Sequence, residues 1–353
     1  MDVPEPDPVP RAPKRTRPGI KDVAAMAGVS WKTVSNVING TAAVRPATRA
    51  RVEAAIEELG YRPTLSGRHL RQGRSNLLAL AIADLRLSYF SDLAHAVIEA
   101  AGKKGYTVLL DETFAEEDRE RHAAHGFGVH LLDGLIFSPQ TLPRDEVLRA
   151  GQQLPTVLLG EHALPGPDEH VPVDRVLIDN IASAREATEH LLATGRRKLV
   201  FLGADMDEQD SAGALRRDGY LQALGSDATP VVLPTTIFSR TEGLEHTAAF
   251  LAEAGPGALD GLICANDQLA IGAMLALRRA GLRVPEDVGV LGWDGSEEGY
   301  FANPGLTTIT PDLDDLATLA VNLLLARIDG TGGPPAVHPL PYTMHIREST
   351  QAT

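Results

Sequence analysis

The sequence lacks the features of secreted, disulfide-bonded and membrane-spanning proteins. Its one cysteine, Cys264, cannot form an internal disulfide, and its apolar setting, GLICA, is typical of a buried core residue rather than a nucleophile. No run of about 18 apolar residues predicts a membrane span. The opening segment, MDVPEPDPVP, has no basic-then-apolar pattern of a secretory signal. We therefore expect a protein of the reducing cytoplasm.

Signatures of catalysis and of cofactor binding are also missing. The chain contains no Walker A sequence, no H-E-x-x-H motif and no paired cysteines. The 11 histidines are scattered, and the cluster of His122, His125 and His130 has the polar context of a surface. We expect no catalytic residues, no cofactor and no metal site.

Positive charge is scarce except near the amino end. Residues 11–76 hold 13 Lys or Arg and 4 Asp or Glu, whereas residues 77–353 hold 20 Lys or Arg and 40 Asp or Glu. A basic segment on an acidic body indicates a polyanionic partner, such as nucleic acid, for that segment alone. The alternative is a charged surface that is merely solvated.

The basic segment contains three short helical patterns. Residues 1–18, with six prolines and the basic run KRTR, are predicted to be a disordered basic arm. Apolar spacing, a serine cap and a proline start then predict helices over 20–27, from after Ser30 to about Ile38, and from Pro46 to about Leu59. Two helices joined by a glycine-containing turn form the helix-turn-helix pattern.

The second of these helices has a polar side that faces away from the predicted core. Val34, Val37 and Ile38 point inward by helical spacing. The opposite side, toward the start of the helix, is expected to carry Trp31, Lys32, Ser35 and Asn36. That end of a recognition helix reaches base edges in the major groove. The alternative is a small structural bundle with a wet face, but an exposed tryptophan argues against it.

The segment GIKDVAAMAGVSWKTVSNVINGTAAVRPATRARVEAAIEELGYRP, residues 19–63, resembles the DNA-binding head of the lactose-repressor family (LacI/GalR). The likeness continues in pieces to the closing HIREST. It implies a head over 19–63, a hinge helix or linker over 64–76, and an effector-binding and dimerisation core over 77–353. It also implies a core of two subdomains, one of about 77–175 and 305–334, the other of about 176–304 and 335–353.

The resemblance also implies a set of DNA contacts. These are Ser30, Trp31, Lys32, Thr33, Ser35, Asn36, Asn39 and Thr48 in the head, and Arg68 and Leu70 in the hinge. Leu70 takes the place of a leucine that wedges into the minor groove; the alternative is a flexible basic linker that touches phosphate. Position 36 is often Arg or His in the family, and Asn there favours adenine over guanine.

From Leu77 onward, apolar runs of strand length alternate with helical patterns. The runs lie at 77–83, 106–111, 133–138, 155–160, 198–203, 230–234, 260–265 and 287–294. Continuous apolar strands separated by helices indicate parallel sheets that are buried on both faces. The predicted fold class is α/β: a helix-turn-helix head followed by a periplasmic-binding-protein-like core of two Rossmann-like subdomains, as the resemblance also implies.

Polar side chains follow several of these strands, where parallel sheets bind ligands. Combined with the resemblance, they predict an effector site made of Asp84, Tyr89, Phe90, Arg216, Phe238, Asn266, Trp293 and Asp294. Carboxylates, an amide and an arginine bind sugar hydroxyls, and aromatic rings cover apolar sugar faces. The alternatives stay open: Asp84, Asp179 and Asp267 as helix caps, and Trp293 as a core residue.

These features together predict a transcription regulator, expected to be a repressor. We expect a homodimer on a near-palindromic double-stranded DNA operator, controlled by a small sugar-like effector that acts as inducer or corepressor. The alternatives are a sugar-binding module without a regulatory role and an enzyme derived from the same fold.

Overall fold

The computed structural model describes residues 18–39, 42–61, 74–128, 131–149, 151–152, 154–162, 173–204, 206, 209, 211–226 and 229–351. The chain divides into two compact units, the first ending at Ser75 and the second beginning at Asn76. Within the ranges given, no helix combines the length and apolar character that a bilayer span requires. The predicted basic arm lies outside the described residues, apart from Pro18.

The first unit is a three-helix head. Its helices are α1 (Ile20–Ala27), α2 (Trp31–Asn39) and α3 (Pro46–Leu59). Gly28 and Gly60 end α1 and α3 in the left-handed conformation that glycine adopts most readily. The small core shared by the three helices consists of Val23, Ala24, Ala27, Val34, Val37, Val52, Ala55 and Tyr61. The helix-turn-helix prediction is confirmed.

The second unit contains twelve strands in the part of the chain that the structure describes. They are β1 (Leu77–Ile82), β2 (Thr107–Glu112), β3 (Gly134–Phe137), β4 (Thr156–Leu159), β5 (Asp174–Ile178), β6 (Leu199–Gly203), β7 (Val231–Pro234), β8 (Gly261–Cys264), β9 (Gly289–Trp293), β10 (Thr307–Pro311), β11 (Val337–Leu340) and β12 (Tyr342–His345). All eight predicted apolar runs form strands, whereas β5, β10, β11 and β12 were not among them.

Helices follow most of these strands. They are α4 (Ser88–Lys103), α5 (Glu117–Ala124), α6 (Arg144–Arg149), α7 (Asn180–Ala193), α8 (Ala212–Leu224), α9 (Arg240–Ala254), α10 (Asp267–Arg279), α11 (Glu297–Tyr300) and α12 (Leu313–Asp329). Strand–helix alternation requires crossover connections, and these connections make the strands parallel.

The strands form two six-stranded sheets, which define two lobes. The first lobe has the order β11-β5-β4-β3-β1-β2, and every neighbouring pair is parallel. The second has the order β12-β10-β9-β8-β6-β7, parallel except for β12. In each lobe the order reverses beside the first strand, so a crevice opens at the carboxyl ends of the strands.

The central strands are buried because helices cover both faces of each sheet. Strands β3, β4, β6, β8 and β9 are buried along their full length. Cys264, at the end of β8, is fully buried in the core of the second lobe, and burial raises the pKa of its thiol. Its predicted role as a core residue is confirmed.

The lobe boundaries differ from those expected. Residues 305–334 were expected in the first lobe, but β10 pairs with β9 in the second, and only α12 packs on the first. Residues 335–353 were expected in the second lobe, but β11 pairs with β5. The chain crosses between lobes after β5, β10 and β11. The physical reason is strand pairing, which short segments such as β11 do not reveal by their own composition.

Helices α9 and α10 pack through two glycines. A Cβ added to Gly272 lies 2.0 Å from the carbonyl oxygen of Arg240, and one added to Gly243 lies 2.2 Å from that of Leu269. Real side chains never approach backbone that closely, so both positions require glycine for this helix crossing.

We predict that Gly272→Ala lowers the free energy of unfolding by about 1–3 kcal/mol or more, because a methyl group overpacks the α9–α10 crossing. The control is Gly102→Ala in α4, where an added Cβ meets nothing within 4 Å. Alanine there should stabilise the fold by about 0.5–1 kcal/mol. Urea unfolding of both variants measures the difference, and equal stabilities would contradict the close approach.

Candidate functional site

The start of α2 carries the most accessible of the predicted DNA-contacting residues. Ser30 precedes the helix, and its Oγ accepts a hydrogen bond from the backbone N–H of Thr33 at 3.2 Å, which confirms the predicted cap. Trp31 keeps 50% of its surface exposed, Lys32 is exposed and Asn36 is partly exposed. Three different side chains are therefore available to a partner near one helix terminus.

Ser35 does not belong to this exposed set. It was expected beside Trp31 and Lys32, but it is only 4% exposed. Ser35 lies on the flank of the inward stripe formed by Val34 and Val37, and its side chain is short enough to be covered there. The expectation of an exposed Ser35 was wrong because helical spacing alone does not show how wide the buried face is.

The remaining predicted DNA contacts lie at the start of α2, on α3, at the end of α2 or outside the described residues. Thr33 is half-buried, with its Oγ1 3.0 Å from Ser30 Oγ, and Thr48 is half-buried on α3. Asn39 is the last residue of α2. Arg68 and Leu70 lie outside the described residues.

Arg216, on α8 of the second lobe, is the centre of a buried charge cluster. Its Nε donates to Asn180 Oδ1 at 2.7 Å, and its Nη1 donates to the carbonyl oxygen of Ala265. The guanidinium carbon lies 5.3 Å from the centre of the Trp293 ring, in cation–π geometry. Three supports therefore fix the orientation of a cation that is only 8% exposed.

Asp294 lies beside this cation, directly after β9. Its φ of 107° is rare for a residue with a side chain, and such strain costs about 1–3 kcal/mol. Burial raises the pKa of its carboxyl group well above the usual range, although the charge of Arg216 opposes the shift. A strained backbone and a desolvated acid at the end of a central strand are typical of functional sites.

Tyr89 brings the first lobe to the same place. Burial raises the pKa of its hydroxyl group, and the charges of Glu161, Asp294 and Arg216 act on it. Its ring meets that of Phe90 edge to face, with centroids 5.2 Å apart. The charges of Arg216 and Asp294, from the second lobe, therefore reach the Tyr89 hydroxyl group of the first lobe.

Three other predicted effector residues have structural partners. Asp84 accepts from the backbone N–H and the guanidinium of Arg86, which lowers the pKa of its carboxyl group. Asn266 caps α10: its Oδ1 accepts from Leu269 N–H at 2.9 Å, and its Nδ2 donates to the carbonyl oxygen of Phe238 at 3.2 Å. The ring of Phe238 is half-buried and packs against Gly213.

Trp293 is a core residue in this conformation. It is fully buried, and its Nε1 lies 3.4 Å from Ser183 Oγ. Its side chain has no exposed surface with which to contact a ligand, and its ring instead packs against the guanidinium of Arg216. Of the residues weighed as caps, Asp179 accepts from Ala182 N–H at the start of α7, as expected. Asp267 joins Ser296 to Thr308, and burial raises the pKa of its carboxyl group to about 6.

Comparison with known proteins finds family models for both units and relatives over nearly the whole chain. Residues 19–64 match the model of bacterial regulatory proteins of the lacI family, and residues 188–350 match that of the periplasmic binding protein-like domain. The ribose operon repressor of Halalkalibacterium halodurans is 31% identical over 94% of this chain and 97% of its own length. The regulator CelR of Thermobifida fusca is 33% identical over 95% and 99%. This chain belongs to the lacI family of transcriptional regulators.

Solved structures of lacI-family proteins share the fold. The lac repressor dimer bound to operator and the anti-inducer ONPF has a TM-score of 0.81 and 28% identity, and the match covers 96% of this chain and all of that one. The CelR–cellobiose complex has a TM-score of 0.67 and 30% identity, covering 94% of this chain and all of that one.

The structure adds site residues that the sequence analysis of this lacI-family regulator missed. Glu161, just after β4, is 8% exposed and faces the charges of Arg216 and Arg175. Asn180, at the start of α7, is the partner of Arg216. Both follow the carboxyl ends of strands, so the rule that located Asp294 also applied to them. At these two strand ends the sequence analysis did not select Glu161 after β4, and after β5 it considered Asp179 rather than Asn180.

Direct hydrogen bonds also join the two lobes at the rim of the cleft. Ser88 Oγ, at the start of α4, donates to Glu298 Oε1 and Oε2 at 2.8 Å each and accepts from Gln268 Nε2 at 3.2 Å. Arg240 donates to both Glu298 and Gln268 from within the second lobe. This rim network, formed by Ser88, Glu298, Gln268 and Arg240, links the first turn of α4 to three helices of the other lobe, α9, α10 and α11.

We predict that Asn266→Ala lowers the free energy of unfolding by about 1–2 kcal/mol without any ligand, because α10 loses its cap and Phe238 loses a partner. The control is Asn322→Ala on the exposed side of α12, which should change stability by less than about 0.5 kcal/mol. Urea unfolding tests both. An unchanged stability in Asn266→Ala would contradict a structural role for this cap.

Proposed function

We propose that this regulator is a homodimeric repressor that binds a near-palindromic DNA operator. A small sugar-like effector that enters the cleft lowers or raises its affinity for that operator. The observation that carries the proposal is the accessible surface of Trp31 and Lys32, which are exposed, and of Asn36, which is partly exposed, on α2. In a helix-turn-helix head, the N-terminal part of this helix contacts base edges. The surrounding positive charge attracts phosphate.

The three residues differ in the contacts they suit. Lys32 donates to guanine O6 and N7, and Asn36 pairs with adenine N6 and N7. Trp31 offers a flat apolar ring for thymine methyl groups or sugar. Ser30 and Thr33 brace the helix start, and Ser35, being buried, serves as a packing residue. We retain Thr48, Asn39, Arg68 and Leu70 as proposed DNA contacts on the family resemblance.

Uncovered apolar surface on the first lobe supports the homodimer. Leu109 and Leu110 on the edge strand β2 are exposed, as are Ile98 on α4 and Phe114 just after β2. An edge strand with exposed leucines is a site for association with another chain. In the lac repressor structure the protein is a dimer on its operator, which fits the same assembly here.

The cleft supports an effector with several hydroxyl groups. Arg216 and Asp294 offer a donor and an acceptor, and Tyr89, Phe90 and Phe238 offer aromatic surface. CelR, a relative, has been solved with cellobiose. We propose that Asp84 and Asn266 position the surrounding segments and that Trp293 positions Arg216.

Coupling between cleft and head follows from differential affinity. An effector changes operator binding only if it binds the DNA-competent and DNA-incompetent conformations unequally. The rim network of Ser88, Glu298 and Gln268 bonds the lobes directly, so we expect it to favour the conformation that has these contacts. An effector that favours the DNA-incompetent form is an inducer, and one that favours the other form is a corepressor.

The rival functions are a sugar-binding module for transport and an enzyme. A recognition helix plays no part in sugar transport. A gel-shift assay distinguishes the two functions, because only a regulator binds operator DNA. Family members matched here are regulators, and we propose that this chain has no catalytic activity and acts in the cytoplasm, where its operator lies.

We predict that Lys32→Ala weakens binding to a selected operator about 5- to 150-fold, because one base contact is worth about 1–3 kcal/mol. Binding to scrambled DNA should change much less. Lys103→Ala, at the exposed end of α4, is the matched control and should bind as the unmodified protein does. Gel shifts at several salt concentrations measure both. Equal operator binding by the two variants would contradict the proposed recognition face.

We predict that Asn36→Arg shifts the preferred base at one half-site position from adenine to guanine, because arginine pairs with guanine O6 and N7. Selection of binding sites from random DNA, performed in parallel on both proteins, measures the preference. An unchanged selected sequence would show that Asn36 does not read a base.

A further inference from the structure

Glu161 is held rigidly at the cleft by its neighbours. Arg175, itself fully buried, donates from Nη1 to the carbonyl oxygens of Gly160 and His162, at 2.7 and 2.8 Å. These two bonds flank Glu161 and fix the backbone that carries it. The side chain of Glu161 is buried, and the charge of Arg216 from the other lobe acts on its carboxyl group.

The charges around Glu161 do not cancel the cost of burying it. Burial raises the pKa of its carboxyl group even though Arg216 and Arg175 lower it. Asp294 is shifted in the same direction for the same reason. The charge of Arg216 thus acts on two desolvated acids, Glu161 and Asp294. Its Nε and Nη1 already donate to Asn180 Oδ1 and to the carbonyl oxygen of Ala265.

Orphaned donors lie in the same cluster. Within the described chain, four buried side-chain polar atoms have no hydrogen-bond partner, and two of them are Asn180 Nδ2 and Arg175 Nη2. Native proteins leave few such atoms unsatisfied, so each one calls for an explanation. Here unpartnered N–H groups, which need acceptors, lie in the same cluster as the carboxyl groups of Glu161 and Asp294, which accept from donors.

We propose that Glu161 is a specificity-determining residue of the effector cleft and that the cleft takes an uncharged polyhydroxyl ligand in preference to a sugar acid or a sugar phosphate. This inference rests on the proposed function and names the ligand class for it. A hydroxyl group both donates and accepts, so it matches the mixed demand of the cluster. A carboxylate or phosphate only accepts, and it would add a negative charge beside Glu161 and Asp294 where low dielectric strengthens repulsion.

The first test needs no ligand. If Glu161 is kept for binding, removing its charge relieves a cost of folding. The raised pKa means that this cost is absent below the ordinary glutamate value of 4.5 and grows as pH rises above it. Glu161→Gln should therefore melt at a higher temperature than the unmodified protein at pH 8, with no difference at pH 4. A lower melting temperature at pH 8 would assign Glu161 to a structural pairing with Arg175 and overturn the proposal.

The second test uses matched ligands. Calorimetric titration of the full chain compares glucose with glucuronate and glucose 6-phosphate, ribose with ribose 5-phosphate, and cellobiose with cellobionate. We expect binding by an uncharged member and not by its anionic counterparts. Glu161→Gln should lower the affinity for that uncharged ligand about tenfold or more. It should also reduce the ratio of this affinity to the affinity for the anionic ligands. Glu253→Gln, on the exposed side of α9, is the control and should leave affinity unchanged.

The outcomes separate the two proposals. Preferential binding of an anionic member would overturn the ligand class and leave effector control standing. Equal affinity of an uncharged sugar for the unmodified protein and Glu161→Gln would overturn only the role of Glu161. Binding of none of these compounds would overturn the ligand class, while gel shifts on operator DNA would still decide whether the chain is a DNA-binding regulator.

Discussion

The buried guanidinium of Arg216 is the interaction on which the effector cleft depends. It reaches back to Asn180 at the start of α7 and to the end of β8, rests on Trp293, and faces acids from both lobes. A buried cation is tolerated only when it is paired and hydrogen-bonded. Removal of one partner would therefore leave the buried cation less well compensated. The rest of the fold offsets the desolvation free energy of this cluster. The cluster in turn provides carboxyl and N–H groups to which a ligand can hydrogen-bond.

The two lobes meet both at this cluster and at the rim. At the rim, Ser88 bonds to Glu298 and Gln268; deeper in the cleft, Tyr89 and Glu161 face Arg216. Ser88 and Tyr89 are consecutive residues at the opening of α4, so one helix terminus takes part in both meeting points. Any change in lobe separation must move that terminus. Helix α4 also lies beside the exposed apolar edge of the first lobe, which places the cleft and the proposed dimer face on one structural element.

Acids and bases are divided between the two units for a physical reason. The head needs positive charge to approach phosphate, and an acidic body repels the same phosphate, which restricts DNA contact to the head. Within the body, most charged pairs lie at the surface, where they contribute little to stability. The buried carboxylate of Asp174 is an exception: it accepts from Arg327 and bonds to His338, and so ties β5 to α12 and β11.

Local pattern was sufficient for the helices of the head, the Ser30 cap, the burial of Cys264 and eight of the strands, because each depends on side chains a few residues apart. It was insufficient for the burial of Ser35 and for strands β10, β11 and β12, and hence for the lobe boundaries. It was also insufficient for the membership of Glu161 and Asn180 in the charge cluster. Those properties arise when segments distant in sequence pack together. Pairing between β11 and β5 spans about 160 residues, and no short stretch records its partner. Periodicity states which face of an element is apolar; only packing states what covers it and which charges then meet.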